Sequence, residues 1–121
     1  MFAQMNDSAS PAETAVTRMG EMSADLRGCA VLDSGGRALA ANGDPEAWAE
    51  AGAALLEAAD AAGGEAAAHV HVGTEDGEAF SVRHGDLAMV AVADRFTLAS
   101  LMIFDMRAVL RDLTAELAEA G

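Results

Sequence analysis

His69 and His71 are the pair whose type and spacing most directly suggest chemistry. One residue apart in an extended chain, both imidazoles project from the same face of a strand, a spacing that metal sites use. Two ligands are too few, and Glu75 and His84 complete a site only if the tertiary fold delivers them. The pair therefore reads as polar residues of a strand face. Cys29 opens an apolar run with no activating base nearby in sequence, which reads as a buried, inert thiol. Asp33, Asp44, Asp76 and Asp86 all stand where turns and caps favour aspartate. Ser34-Gly35-Gly36 suits a hairpin turn, whereas a phosphate loop also needs a lysine, and the chain has none. No Ser-His-Asp signature, Walker motif or Gly-x-Gly-x-x-Gly run occurs. The expectation is no catalytic residue, no cofactor and no metal, and an enzyme is the least favoured class.

Bulk properties narrow the partners. The chain has 121 residues, room for one domain, and 52% of them are hydrophobic, although many are alanines that bury little area. Its 20 acidic residues face 7 arginines, for a net charge of −13. That sign disfavours nucleic acid and anionic membrane surfaces alike. A single cysteine permits no internal disulfide, and no window approaches the length of a membrane-spanning apolar run. The expectation is a soluble, cytoplasmic protein. Abundant alanine and glycine, with arginine and no lysine, point to a bacterial genome rich in GC.

The elements that must position these residues are legible from periodicity. Leu87 to Ala93 is apolar at every position, the mark of a strand covered on both faces. Asp94 and Arg95 break it, Thr97 is the expected N-cap, and a helix follows. Leu98, Met102, Met106, Val109, Leu113 and Leu117 form its inner stripe, and Phe104 falls on the far side. Upstream, Met1 to Ala9 reads as a disordered tail, and residues 10–121 as a single domain. Ser10-Pro11-Ala12-Glu13 is a capping box that starts a first helix, whose apolar face runs through Met19 to Leu26, with Gly28 as its stop. Cys29–Asp33 and Arg37–Ala41 form a hairpin. Gly43-Asp44-Pro45-Glu46 starts a second helix ending at Gly63-Gly64, with Trp48, Gly52, Leu55, Ala59 and Ala62 on one stripe. Glu46, Glu50, Glu57 and Asp60 line its other face, and no basic residue falls on it. Strands Ala66–Gly73 and Ala79–Arg83 precede the apolar one.

The resulting αββαβββα order resembles the Roadblock/LC7 family, which includes dynein light chains of that name and bacterial regulators of Ras-like GTPases. Two stretches carry the resemblance: Arg27-Gly28-Cys29-Ala30-Val31-Leu32-Asp33-Ser34-Gly35-Gly36-Arg37-Ala38-Leu39-Ala40, and Ala88-Met89-Val90-Ala91-Val92-Ala93-Asp94-Arg95-Phe96-Thr97-Leu98-Ala99-Ser100-Leu101. It implies an α+β, profilin-like fold, a five-stranded antiparallel sheet with the first and last helices on one face and the second on the other. It implies a homodimer that pairs third strands edge to edge and lays second helices side by side. Mapped here, that interface takes Trp48, Ala51, Gly52, Leu55 and Ala59 from the helix and Ala67, His69, Val70 and His71 from the strand. The implied role is binding and regulating a small Ras-like GTPase, as activator or scaffold. One alternative is a structural subunit of a larger complex with no GTPase contact. Another is a PAS- or GAF-like small-molecule sensor, which needs an enclosed pocket.

The missing lysine and phosphate loop, together with the net charge, predict that the chain does not itself bind GTP or ATP. Titration calorimetry with either nucleotide is expected to give no saturable heat, and micromolar binding overturns the expectation.

Overall fold

The computed structural model describes residues 10–63, 69–73 and 77–120. Its first helix, α1 (Pro11–Met22), begins at the capping box: the Glu13 amide donates to Ser10 Oγ at 3.1 Å, and the Ser10 amide to Glu13 Oε1 at 2.9 Å. There follow β1 (Leu26–Leu32), β2 (Ala38–Ala41), α2 (Pro45–Gly63), β3 (His69–Gly73), β4 (Glu78–His84), β5 (Leu87–Ala93) and α3 (Ala99–Ala120). The strands make one five-stranded antiparallel sheet in the order β2-β1-β5-β4-β3. The apolar strand β5 is central and buried almost throughout. No helix among the described residues is long and apolar enough to cross a membrane.

The two faces of the sheet are unequal. On one, Met89, Ala91 and Ala93 of β5 join Cys29, Val31, Phe80 and Val82 beneath α1 and α3. Here α3 buries Met102, Met106, Val109, Leu110 and Leu113, each worth roughly 1.5–3 kcal/mol of gross apolar burial. On the other face, the buried apolar side chains among the described residues are Ala30, Leu32, Ala88 and Val90, with Trp48 and Leu55 of α2 packed against them and Ser81 buried beside Val90. Alanine contributes little area, so among the described residues α2 is the more lightly seated helix.

Five local expectations are corrected. Leu98, expected on the inner stripe of the last helix, precedes its first residue, Ala99, and is 64% exposed rather than packed on the sheet. Asp60, expected on the outer acidic face of the second helix, turns instead to Arg83 of β4, which offers it two donors at 2.8 Å. The first helix ends at Met22, not near Leu26, because Ser23 turns extended (φ −123°, ψ 111°) while its amide closes onto Met19 O. Gly28 therefore stops no helix. It lies inside β1, where the register to β5 slips between Leu26 and Gly28 and bulges Arg27 toward Asp94, 2.8 Å away. Thr97 does not cap α3. Phe96 takes a positive φ of 65°, the Thr97 hydroxyl donates to Asp94 O at 2.6 Å, and the first helical carbonyl is that of Leu98, which accepts from Met102 at 3.1 Å. The turn captured the hydroxyl before the helix could use it. The expected strand Ala66–Gly73 is described only from His69, and Asp76 of the expected Asp76-Gly77 turn lies outside the described residues.

Gly52 sets how closely α2 approaches the sheet. A Cβ there would stand 2.7 Å from Leu32 Cδ1 and 2.9 Å from Val90 Cγ2, inside van der Waals contact. The Gly52→Val substitution is expected to lift α2 and cost about 1–3 kcal/mol of stability, as overpacking generally does. Urea unfolding measures it, and unchanged stability would mean that α2 is not seated through Gly52.

Candidate functional site

The N-terminal end of α2 is tied down by a polar network centred on Asn42. The Trp48 indole N–H donates to Asn42 O at 2.7 Å, and Asn42 Oδ1 accepts the Cys29 amide at 2.7 Å. The indole lies over Gly28, where an added Cβ would stand 3.2 Å from Trp48 Cζ2. Asp44 starts the helix, its Oδ1 accepting the Glu46 amide at 3.0 Å. Trp48, Gly52 and Leu55 thus look inward, onto the sheet. Ala51, together with Ala47, Ala54 and Ala61, looks outward, flanked by exposed Glu46, Glu50 and Glu57. Of the nine residues that the sequence nominated for a docking surface, Ala51 therefore holds the outer position on α2. Trp48, Gly52 and Leu55 hold the helix in place. The Ala59 side chain and Ala67 lie outside the described residues.

The strand β3 closes the sheet on one side. Its inner edge pairs with β4 from His69↔Val82 to Gly73↔Glu78, and no described strand pairs with its outer edge. On the α3 side, His69 Nδ1 meets Arg107 Nη2 at 2.8 Å. His71 stacks on Phe80, ring centroids 4.6 Å apart, and its Nε2 bonds Glu78 Oε1. Each histidine thereby has one polar side-chain partner, and among the described residues no three metal-ligating groups gather. Val70 is half-buried on the opposite side of the strand and Val72 is exposed there.

Glu78 was not singled out in the sequence. It couples the sheet edge to the lead-in of α3, because Oε2 also accepts the Phe96 amide at 3.4 Å. The hydrogen bond from His71, helped by Phe96 and the nearby Arg95, holds its carboxyl below the usual carboxylate range. The diagonal placing of Glu78 beside His71 follows from strand register, which no local pattern reveals. Arg83, on the α2 side of β4, grips Asp60 through two nitrogens, each at 2.8 Å. A cleft of about 470 Å³ opens beside that pair, lined by Asp33, Gly35, Glu57, Asp86 and Leu87 among others. It is charged where a sensor's ligand cavity would be apolar. Cys29 is buried, and desolvation pushes its thiol up to about 12, too high to furnish a thiolate at neutral pH.

No protein-family model and no curated protein matches the chain in sequence. Solved structures do match in fold. A Roadblock/LC7 domain from Streptomyces avermitilis superposes with a TM-score of 0.73 at 16% identity, covering 87% of this chain and 96% of that one. MglB from Myxococcus xanthus gives 0.71 at 15% identity, covering 91% of its own length and 93% of this chain. The gliding protein MglB from Thermus thermophilus gives 0.69 at 20% identity and 93% coverage of each. The chain has the fold of Roadblock/LC7 domains.

The depressed Glu78 carboxyl carries a pH signature. A group whose pKa is lowered on folding contributes stability above the ordinary carboxylate range, and that contribution disappears as pH falls through the folded-state value. Asp112, held low by Arg18, acts with the same sign. Glu78→Gln is therefore expected to flatten the acid limb of stability against pH relative to the unmodified protein, with little change near neutrality in the slope. Thermal melts across acidic pH test this, and parallel acid limbs would refute a folded-state role for the His71–Glu78 pair.

Proposed function

We propose that this chain is a cytoplasmic, homodimeric module of the Roadblock/LC7 kind that binds and regulates a small Ras-like GTPase. The observation that carries the reading is the outer edge of β3. Its backbone amides and carbonyls form a template for a further strand, and neither proline nor lysine occurs from His69 to Gly73 to block one. Pairing two such edges about a two-fold axis extends the sheet to ten strands, and each protomer presents the same patch to the other. The same operation brings the α2 helices alongside each other. Outward alanines at positions 47, 51, 54 and 61 then allow close approach, since interaxial distance follows contact side-chain size. A lightly seated α2 gains most from such a partner. The fold shared with Roadblock/LC7 domains supports the reading, and a lone buried cysteine fits a reducing compartment.

The paired helices would form a platform rimmed by Glu46, Glu50 and Glu57 with no cation on either helix. A GTPase docking there needs a basic face, and its association rate should fall as salt rises. The His69–Arg107 and His71–Glu78 contacts keep the strand edge in register for its mate rather than serving a metal.

Light scattering at micromolar concentration is expected to return a dimer mass. Because Ala51 is exposed in the single chain, Ala51→Glu should change protomer stability by no more than about 0.5 kcal/mol while weakening the dimer. A stable monomer in the unmodified protein ends the dimer reading. A pull-down with candidate GTPases loaded with GTP or GDP tests the partner, and a dimer that captures none in either state favours a purely structural subunit.

A further inference from the structure

We propose that the outer face of α3, from Phe96 to Arg111, is a second docking surface that takes an acidic amphipathic helix of a partner protein. Four large apolar side chains lie exposed there: Phe96 at 84%, Leu98 at 64%, Leu101 at 55% and Phe104 at 68%. Leu98, Leu101 and Phe104 are spaced three apart at the start of the helix, so each is the surface neighbour of the next. Ala108 continues the row beyond them. None of these residues belongs to the α3 stripe that packs on the sheet, which runs through Met102, Met106, Val109 and Leu113. Clustered large apolar side chains, unlike scattered ones, mark interaction sites.

The backbone presents this cluster at a cost. Phe96 is the one non-glycine residue with a positive φ among the described residues. A bulky residue in that conformation costs on the order of 1–3 kcal/mol and persists only where its surroundings hold it. They do so here, since the Phe96 amide donates to Glu78 Oε2 at 3.4 Å and the Arg95 guanidinium lies 4.7 Å from the centre of its ring. The strained turn aims the ring outward, although a partly buried ring would gain apolar area.

Charge chooses the occupant. Between positions 95 and 111 there are three arginines, Arg95, Arg107 and Arg111, against one carboxylate, Asp105, in a chain whose net charge is −13. None of the three forms a salt bridge among the described residues, Arg107 meeting only the ring of His69. The carboxylates that bound the segment are already engaged, Asp94 by Arg27 and Asp112 by Arg18, both at 2.8 Å. Phe104, Arg107, Ala108 and Arg111 follow helical spacing, so the cations flank the apolar ridge on the same outward face. A partner helix with apolar anchors at every third or fourth position, edged by glutamates, matches both the ridge and its flanks. The overall negative charge disfavours an anionic bilayer. This surface lies across the sheet from α2, so its occupant and the GTPase would dock on different faces.

The test uses the full chain and two labelled synthetic helices that share Leu and Phe anchors, one edged with glutamate and the other with lysine. Fluorescence anisotropy is expected to show saturable binding of the glutamate peptide, weakening as salt rises, with the lysine peptide at least about tenfold weaker. Phe104→Ser, at an exposed position, should weaken the glutamate peptide by about tenfold or more with an unchanged melting temperature. The Arg107→Gln, Arg111→Gln double variant should weaken it less and remove most of the salt dependence. Equal binding of both peptides, or no effect of Phe104→Ser, overturns the proposal. So does a higher oligomer of the unmodified chain that Phe104→Ser dissolves, which would assign the face to a second copy. Binding to neutral phosphatidylcholine vesicles that Phe104→Ser abolishes, without peptide binding, would assign it to lipid and overturn the proposal as well.

Discussion

The double burial of β5 is the constraint from which the rest of the architecture follows. A strand with apolar side chains on both faces cannot face water on either, so the sheet must be covered twice. Met89, Ala91 and Ala93 call for one cover and Ala88 and Val90 for another. With β1 and β4 hydrogen-bonded to its two sides, β5 also consigns β2 and β3 to the edges. An edge strand, an outward helix face and a second helical layer are thus consequences of one apolar run.

The two covers differ in how firmly they hold. Beneath α1 and α3, long side chains such as Met19, Phe80, Met89, Met102, Met106 and Leu110 fill the interface. Beneath α2, glycine and alanine bring the helix close and leave little area to bury, so the seat relies on directional contacts. Asn42 joins Trp48 to Cys29 at one end, and Arg83 grips Asp60 toward the other. Removing one member of such a pair strands its partner's polar groups, so these contacts specify position more than they add stability. A helix held in this way is fixed on its sheet side and leaves Ala47, Ala51, Ala54 and Ala61 exposed on the other.

Glu78 joins regions that the sequence keeps apart. One oxygen bonds His71 on the edge strand, and the other receives the amide of Phe96 at the entry to α3. The strained turn that exposes Phe96 is therefore braced by the same carboxylate that orders the β3 edge.

Element order, the central position of β5, the capping box at Ser10 and the exposure of Glu46, Glu50 and Glu57 on α2 were legible from the sequence, because each depends on local spacing or on burial that periodicity encodes; Asp60, grouped with those glutamates, turned to Arg83 instead. The extent of α1 was not. Nothing local distinguishes Leu26 as the next residue of an apolar helical face from Leu26 as the first residue of a strand, and its pairing with Ala93 decided for the strand. Thr97 looked like a cap, and a turn formed by Asp94 claimed its hydroxyl first. The small residues of α2 showed the same split. The resemblance placed Gly52 where a second helix would lie alongside, whereas the 2.7 Å and 2.9 Å that an added Cβ would leave to Leu32 and Val90 put that position against the protomer's own sheet. The sequence by itself determined which segments are helix or strand and which must be central. Tertiary structure alone decided which side chains meet, as in His71 with Glu78 and Arg107 with His69, because register and helix seating are set by contacts between residues far apart in the chain.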